Sequence, residues 1–492
     1  MITIEKLDEV HLRVLTDESI SQELSDYFKF RVEGYQFMPS YKAKLFDGYI
    51  RLYDLHRKTL YVGLYDFLLK FAKTHDYEVK TVGTVTVDNN ISMAEVNEYV
   101  KSLDLYGHGK PIAIRDYQID AIHNAINNQR TILLSPTGSG KSLILYSLAR
   151  WHIKHNRKLL ILTPTTLLVE QLYNDFADYS SNNGWSVDDH CQKLYSGFTR
   201  DFSKHVMIST WQSIHRQPKA WFEQFDVLCG DEAHQFKAKS LVSTLEKMTH
   251  IQHKIGTTGT LDNKKVNSLV LQGIFGPIHR VTTSKDLMDA GTLAKLNIIC
   301  IVLKYDEVTR KANKDLKYQE EIDFIVSNNK RNQFIKNLTL NTKGNTLVLF
   351  TYVERHGAVL YDLIKNGAHD DRKIFFVHGG TEVEDREAIR HITEKESDAI
   401  IVASFGTLST GANIPSIENV IFASPSKSKI RNLQSVGRGL RMKDGKTECK
   451  LYDLSDNLSW KNSKNYTLLH FAERLKTYSE ENFDYRIVEV NL

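Results

Sequence analysis

A chain of 492 residues has room for about three domains, and 41% hydrophobic against 25% charged residues is the balance of a folded globular protein, not of a disordered one. A formal charge of +4 is too small to mark a nucleic-acid partner by itself, and the scattered Cys191, Cys229, Cys300 and Cys449 exclude a zinc knuckle or a disulfide framework. No apolar run would span a bilayer and the opening MITIEKLDEV has no leader pattern, so residence in the cytoplasm is expected.

Residues 1–105 mix strand and helix patterns without regular alternation and read as a small α+β domain. Between 28 and 73, basic residues interleave with Phe and Tyr, a mixture suited to neutralising phosphates. Lys29, Arg31, Lys42, Lys44 and Arg51 are therefore candidate nucleic-acid contacts, while any single aromatic there is expected in the core. A chain starting near residue 106 is expected to keep its nucleotide chemistry and to bind forked DNA more weakly. The segment YGHGKPIAI, 106–114, reads as a linker.

From Arg130 onward, runs rich in Ile, Leu and Val alternate with stretches of helical period, the pattern of parallel sheets flanked by helices. TILLS, KLLILTP, HVMIST, FDVLCGDE and HKIGTTGT are the predicted strands of a first α/β lobe, 106–293. A strand near Leu296, then NTLVLFTY, KIFFVHG, DAIIVASFG and VIFASP, make a second lobe, 294–492. The polar segment Asp306 to Lys317 is expected to be a solvated loop.

Ser135-Pro136-Thr137-Gly138-Ser139-Gly140-Lys141-Ser142 lies between a predicted strand and a helix, as a phosphate-binding loop requires. Small residues let backbone amides wrap the phosphates of ATP, Lys141 adds a full positive charge, and Ser142 can hold Mg2+. Ser135 stands where the usual pattern has glycine. After FDVLCG comes Asp231-Glu232-Ala233-His234. Asp231 is placed to hold Mg2+, Glu232 to orient and deprotonate the attacking water, and His234 to report the nucleotide state. In Gln434-Ser435-Val436-Gly437-Arg438-Gly439-Leu440-Arg441 the two arginines, three apart, can address one anion as arginine fingers.

Taken together and in order, these motifs resemble the superfamily 2 helicases of the DExH type, a likeness that runs from about 112 to 455 and implies two tandem RecA-like lobes. On that likeness Arg115, Tyr117 and Gln118 form the adenine-recognition segment. Pro164, Thr165, Thr210 and Trp211 would line the nucleic-acid path, and Thr258-Gly259-Thr260 would couple hydrolysis to lobe movement. In the second lobe the likeness implies Thr351, Gly379 and Thr410 at the strand, Gly411 and Asn413 at the nucleotide, and Gln434 with the two arginines in the catalytic set. The N-terminal segment 28–52, Tyr318 to Ile322 and Lys427 to Ile430 are similar to the phage UvsW-type branch-migration helicases. That family implies remodelling of Holliday junctions, stalled forks and R-loops, with DNA and RNA–DNA hybrids as partners, by a monomer in the bacterial host cytoplasm. A duplex translocase that does not unwind, an RNA helicase and a nucleotide-switched clamp stay open as alternatives.

Overall fold

The computed structural model describes residues 1–32, 34–85, 89–195, 202–236, 239–260, 265–369, 371–409, 416–425 and 448–492. The chain divides into two compact units: Met1–Ser135 with Ser139–Thr282, and Thr283–Leu492, the latter taken with Pro136–Gly138.

The first unit carries two sheets. The N-terminal one runs Tyr53–Asp54, Thr59–Tyr61, His11–Leu15, Ile2–Lys6, Val79–Val82, antiparallel except for its last pair. Alternation in Ile2–Lys6 and His11–Leu15 puts Ile2, Ile4, Leu12 and Val14 into one buried face, covered by Leu24, Phe28, Leu68 and Phe71. That core also takes Leu269 from the helix Lys265–Phe275 of the neighbouring α/β layer. The contact is close enough that a Cβ on Gly63 would lie 2.0 Å from the Gln272 carbonyl, so only glycine fits there. Underneath, Arg130 donates to Glu9 Oε2 at 2.8 Å and Lys254 Nζ donates to the Glu9 carbonyl at 2.8 Å, a charge cluster that ties the small sheet to the foot of the large one.

The large sheet is entirely parallel, in the order Cys191–Leu194, Val206–Thr210, Leu159–Thr163, Val227–Gly230, His253–Thr258, Arg130–Leu134, Ile278–Arg280. All five expected strands are present, with Cys191–Leu194 and Ile278–Arg280 added at the edges. Two expectations are corrected here. The helix Met93–Lys101 buries Val96, Tyr99 and Val100 in the core of this layer, so the cores divide near residue 90 and not at 105. The expected linker 106–114 is a hairpin, Tyr106–Gly107 with Lys110–Pro111, whose following Ile112 and Ile114 pack on the same core.

The second unit holds another seven-stranded parallel sheet, ordered Ile374–Val377, Ile400–Ser404, Thr346–Phe350, Asn419–Phe422, Glu448–Asn457, Lys295–Lys304, Tyr485–Asn491. Glu448–Asn457 and Tyr485–Asn491 were not among the expected strands. The first hides in the sequence because Asp453 and Asp456 interrupt its apolar run. Both are buried, Asp456 accepting from Arg331 Nε at 2.8 Å and Tyr305 Oη at 2.9 Å, Asp453 from Arg474 Nε at 2.8 Å and Tyr478 Oη at 2.9 Å. Glu321, in the segment Tyr318 to Ile322, accepts at the N-terminus of the helix Tyr466–Glu480 from the Thr467 N–H at 2.8 Å and the Tyr466 N–H at 2.9 Å, capping it from a distant helix. The expected loop after Asp306 contains the short helix Glu307–Ala312, with Asp306 accepting from the Thr309 N–H. No described helix is long and apolar enough to cross a membrane.

Candidate nucleotide and nucleic-acid site

Register alone gathers the motifs of the first lobe. Leu134 pairs with Thr258, Gly230 with Gly256 and with Leu162, and Thr163 with Thr210. The phosphate loop, Asp231 to His234, Thr258 to Thr260, Pro164–Thr165 and Trp211 therefore all leave the sheet at its carboxyl edge, where parallel sheets bind ligands.

The loop is held from several sides. Ser135 donates its N–H to the Thr258 carbonyl at 2.8 Å, and the buried Ser135 and Ser139 hydroxyls share a hydrogen bond of 2.5 Å. Serine at the first motif position thus braces the loop from inside. Gly138 and Gly140 have φ of +85° and +83°, backbone that side chains resist, and a Cβ at Gly140 would sit 2.3 Å from Gln118 Nε2. Gly140 begins the helix Lys141–Lys154 with no side-chain cap, so first-turn amides and the positive end of the helix dipole face outward for an anion. Lys141 Nζ donates to the Ser135 carbonyl at 3.2 Å and Ser142 Oγ lies 2.8 Å from Tyr179 Oη.

Gln118, expected at the adenine, is tied to the phosphate loop. It is 3% exposed, its Nε2 donates to the Ser139 carbonyl at 2.7 Å and its Oε1 accepts from the Arg115 N–H at 2.9 Å. Tyr117 Oη also donates to the Ser139 carbonyl, at 3.2 Å, and Arg115 donates to Tyr117 Oη at 2.9 Å. These three residues brace the phosphate loop from behind.

Asp231 receives a hydrogen bond from Thr257 Oγ1 at 2.7 Å. Burial, and then the charge of Glu232, push its carboxyl up to about 6 against the pull of Lys141. Two crowded carboxyls beside a phosphate loop form a site whose ionised state a divalent cation would favour, so the residues fit Mg2+. Glu232 adopts φ +50°, uncommon for a residue with a side chain, and is pinned by the neighbouring Asp231 N–H to Leu162 carbonyl bond of 2.8 Å and the Gln235 N–H to Glu232 carbonyl bond of 2.9 Å. Behind it a relay begins. His234 Nδ1 lies 3.2 Å from Glu232 Oε2 and 2.9 Å from Thr258 Oγ1, and Thr258 Oγ1 donates to the Thr260 carbonyl at 2.8 Å. With its proton so used, Thr258 can only accept from His234, which places the imidazole proton on Nδ1. Glycine in the middle of Thr-Gly-Thr leaves this relay intact.

At the same edge Gln212 Nε2 donates to the Pro164 carbonyl at 3.3 Å, Thr165 caps the helix Thr166–Tyr179, and Thr210 Oγ1 lies 2.8 Å from Ser213 Oγ, so the two segments expected along the strand path form one surface. In the second lobe Thr351 is exposed, with its N–H on Ser424 Oγ at 3.1 Å, and Ser424 in turn contacts buried His356 at 2.8 Å. The Gly379 carbonyl accepts from Arg386 at 3.2 Å. Thr410, Gly411, Asn413, Gln434, Arg438 and Arg441 lie outside the described residues. In the N-terminal domain Lys29, Arg31 and Arg51 share the ribbon Lys29–Arg31 with Tyr49–Arg51, and Lys42 and Lys44 are exposed on the loop it carries. Tyr179 and Ser424 were not anticipated, since nothing in their local sequence marks them, while Gln212 falls inside the Ser209 to Ser213 segment expected along the strand path.

Comparison with known proteins adds the lineage. The family models described as "DNA helicase UvsW, N-terminal", "Type III restriction enzyme, res subunit" and "Helicase conserved C-terminal domain" match residues 2–81, 111–263 and 329–443. The chain is 35% identical over 501 residues to the ATP-dependent DNA helicase uvsW of Enterobacteria phage T4, covering 98% of each chain. The chain belongs to the UvsW helicase family. The crystal structure of T4 UvsW superposes with a TM-score of 0.54 at 32% identity, covering 100% of this chain and 99% of that one. A fragment of a putative HsdR subunit of a type I restriction enzyme from Vibrio vulnificus gives 0.57 at 19% identity over 80% of this chain and 71% of its own, a likeness of fold alone.

Proposed function

We propose that this ATP-hydrolysing DNA helicase remodels branched DNA, drawing Holliday junctions, forks and R-loops through branch migration as its lobes cycle on ATP. The observation that carries the reading is the single carboxyl edge on which the phosphate loop, the Asp231–Glu232 pair and the strand-path segments meet, with the His234–Thr258–Thr260 relay running between them. The relation to a helicase of full length supports DNA over RNA as the track.

In this reading Lys141 and the loop amides hold the phosphates, and Ser142 and Asp231 hold Mg2+, which supplies charge neutralisation to the transferred phosphoryl group. Glu232 takes the proton of the attacking water, and Arg438 and Arg441 complete the pocket when the lobes close. The residues before about 90 grip duplex DNA near the branch through Lys29, Arg31, Lys42, Lys44 and Arg51.

The test is hydrolysis and strand movement on a panel of Holliday junction, fork, R-loop, linear duplex and RNA duplex. Branched DNA is expected to give the fastest turnover and product formation. Lys141→Ala is expected to abolish hydrolysis, and Glu232→Gln to keep ATP binding while blocking turnover. Retained turnover in either variant, or preference for RNA duplex, would overturn the reading.

A further inference from the structure

The ribbon of the N-terminal domain carries a feature that phosphate binding does not require. Its connecting loop presents Phe37 at 74% and Leu45 at 84% exposure, with Met38 at 38% beside them, outside the domain's core. These side chains are not exposed through slackness. Leu45 N–H donates to the Ser40 carbonyl at 2.9 Å, Ala43 N–H to the Pro39 carbonyl at 2.9 Å and Phe37 N–H to the Gly34 carbonyl at 3.0 Å. Beneath them Tyr35 packs edge-on against Tyr41 at 4.6 Å, and it lies so close to Gly48 that a Cβ there would stand 2.6 Å from the ring. The loop is a small ordered platform with an apolar tip.

Its surroundings select the occupant. Between 29 and 51 the sequence sets the cations Lys29, Arg31, Lys42, Lys44 and Arg51 against two acids, Glu33 and Asp47; Asp47 is held by Arg51 at 2.5 Å, and Lys29 also lies 3.6 Å from Asp26. Arg31 lies over Tyr35 at 4.4 Å and Lys29 over Tyr49 at 4.8 Å, so aromatic faces set their charges around the tip. DNA offers both halves, phosphates for the rim and the apolar faces of base pairs for Phe37 and Leu45, and the relation of the whole chain to a DNA helicase selects it over an anionic lipid surface, which could meet the same charges.

We infer that this loop is a branch-point wedge, with Phe37 and Leu45 inserted against the terminal base pair of a junction while the rim holds the flanking phosphates. Insertion between stacked pairs is costly, and least so where a branch has already interrupted the stack, so the wedge selects junctions over linear duplex. The inference rests on the proposed DNA-remodelling role and names where that role reads DNA shape.

The experiment uses the full chain without ATP, a three-way fork with 2-aminopurine at the branch, and a linear duplex with the same base inside. Wild-type protein is expected to raise the branch fluorescence and to bind the fork more tightly than the duplex. The double variant Phe37→Ser with Leu45→Ser changes only exposed side chains. It is expected to lose the fluorescence rise and about tenfold of fork affinity, falling to the level of the duplex. A double variant that keeps both the rise and the affinity overturns the wedge, as does a wild-type chain that binds the fork without raising fluorescence. Failure of wild-type protein to bind either DNA would instead sink the functional reading, and the wedge with it. Lys42→Ala with Lys44→Ala separates rim from tip. It is expected to weaken fork and duplex alike and to flatten the salt dependence, and loss of fork binding alone would count against the division of labour.

Discussion

Gln118→Ala tests how the phosphate loop is held. The substitution removes the 2.7 Å bond to the Ser139 carbonyl and the 2.9 Å bond from the Arg115 N–H, in a site where Gln118 is 3% exposed. A buried polar group left without its partner costs about 1–3 kcal/mol. The Ser139 carbonyl keeps Tyr117 Oη at 3.2 Å, so its share is at the low end, and the sum is about 2–4 kcal/mol. If about 2 kcal/mol of that reaches the phosphates, kcat/KM for ATP falls about 30-fold. Steady-state hydrolysis over a range of ATP, with thermal unfolding of the same preparation, reads both parts. A lowered melting temperature with kcat/KM within about threefold of wild type would show that Gln118 braces the fold without shaping the loop. No change in either would refute the argument outright. Gln118→Glu, equal in size, turns the donor into a second acceptor facing the Ser139 carbonyl and is expected to be at least as damaging.

Thr258→Val breaks the relay and is expected to lower DNA-stimulated turnover about tenfold, a loss of about 1.4 kcal/mol, while Thr258→Ser retains it; equal rates in the two variants would exclude the relay. Arg331→Leu leaves the fully buried Asp456 without its cation and is expected to cost about 3–5 kcal/mol in a denaturant melt of the second lobe, much of it regained when Asp456→Leu is added. His253, 2% exposed, has its imidazole pushed down to about 4 by burial and then by nearby arginines. Its folded pKa lies below the unfolded 6.5, so the stability is present above 6.5 and is lost as pH falls from 6.5 towards 4, by about 3 kcal/mol in all. Melts at pH 7 and pH 5 should therefore differ more for wild type than for His253→Phe, and equal differences would contradict the assignment.

Much of this is legible in the sequence. Parallel strands buried on both faces leave apolar runs, as in KLLILTP and DAIIVASFG, and a strand that ends in Gly-Asp-Glu announces the edge on which it ends. What stayed hidden was long-range. Glu448–Asn457 carries Asp453 and Asp456 because Arg474 and Arg331, far off in the chain, neutralise them, and no local pattern reports that. The boundary near 90 was misplaced because Met93–Lys101 has the same amphipathic spacing whichever core it serves. The contact of the Gln118 amide with the backbone of a loop more than twenty residues on, beside the tight approach at Gly140, has no signature in the sequence around Gln118. Motif residues declare chemistry, whereas their supports, Tyr179 and Ser424, depend on which strands become neighbours.

The cluster of Glu9 with Arg130 and Lys254 bears on how this enzyme can be taken apart. Deleting the first hundred or so residues, the obvious way to ask what the small domain does, would strip the Glu9 carboxylate from Arg130 and the Glu9 carbonyl from the buried Lys254 amine, and pull Val96 and Tyr99 out of the ATP-binding layer. Such a fragment would fail for reasons unrelated to DNA. The front domain is grafted, not appended, and whatever it holds must ride with the half that binds the nucleotide.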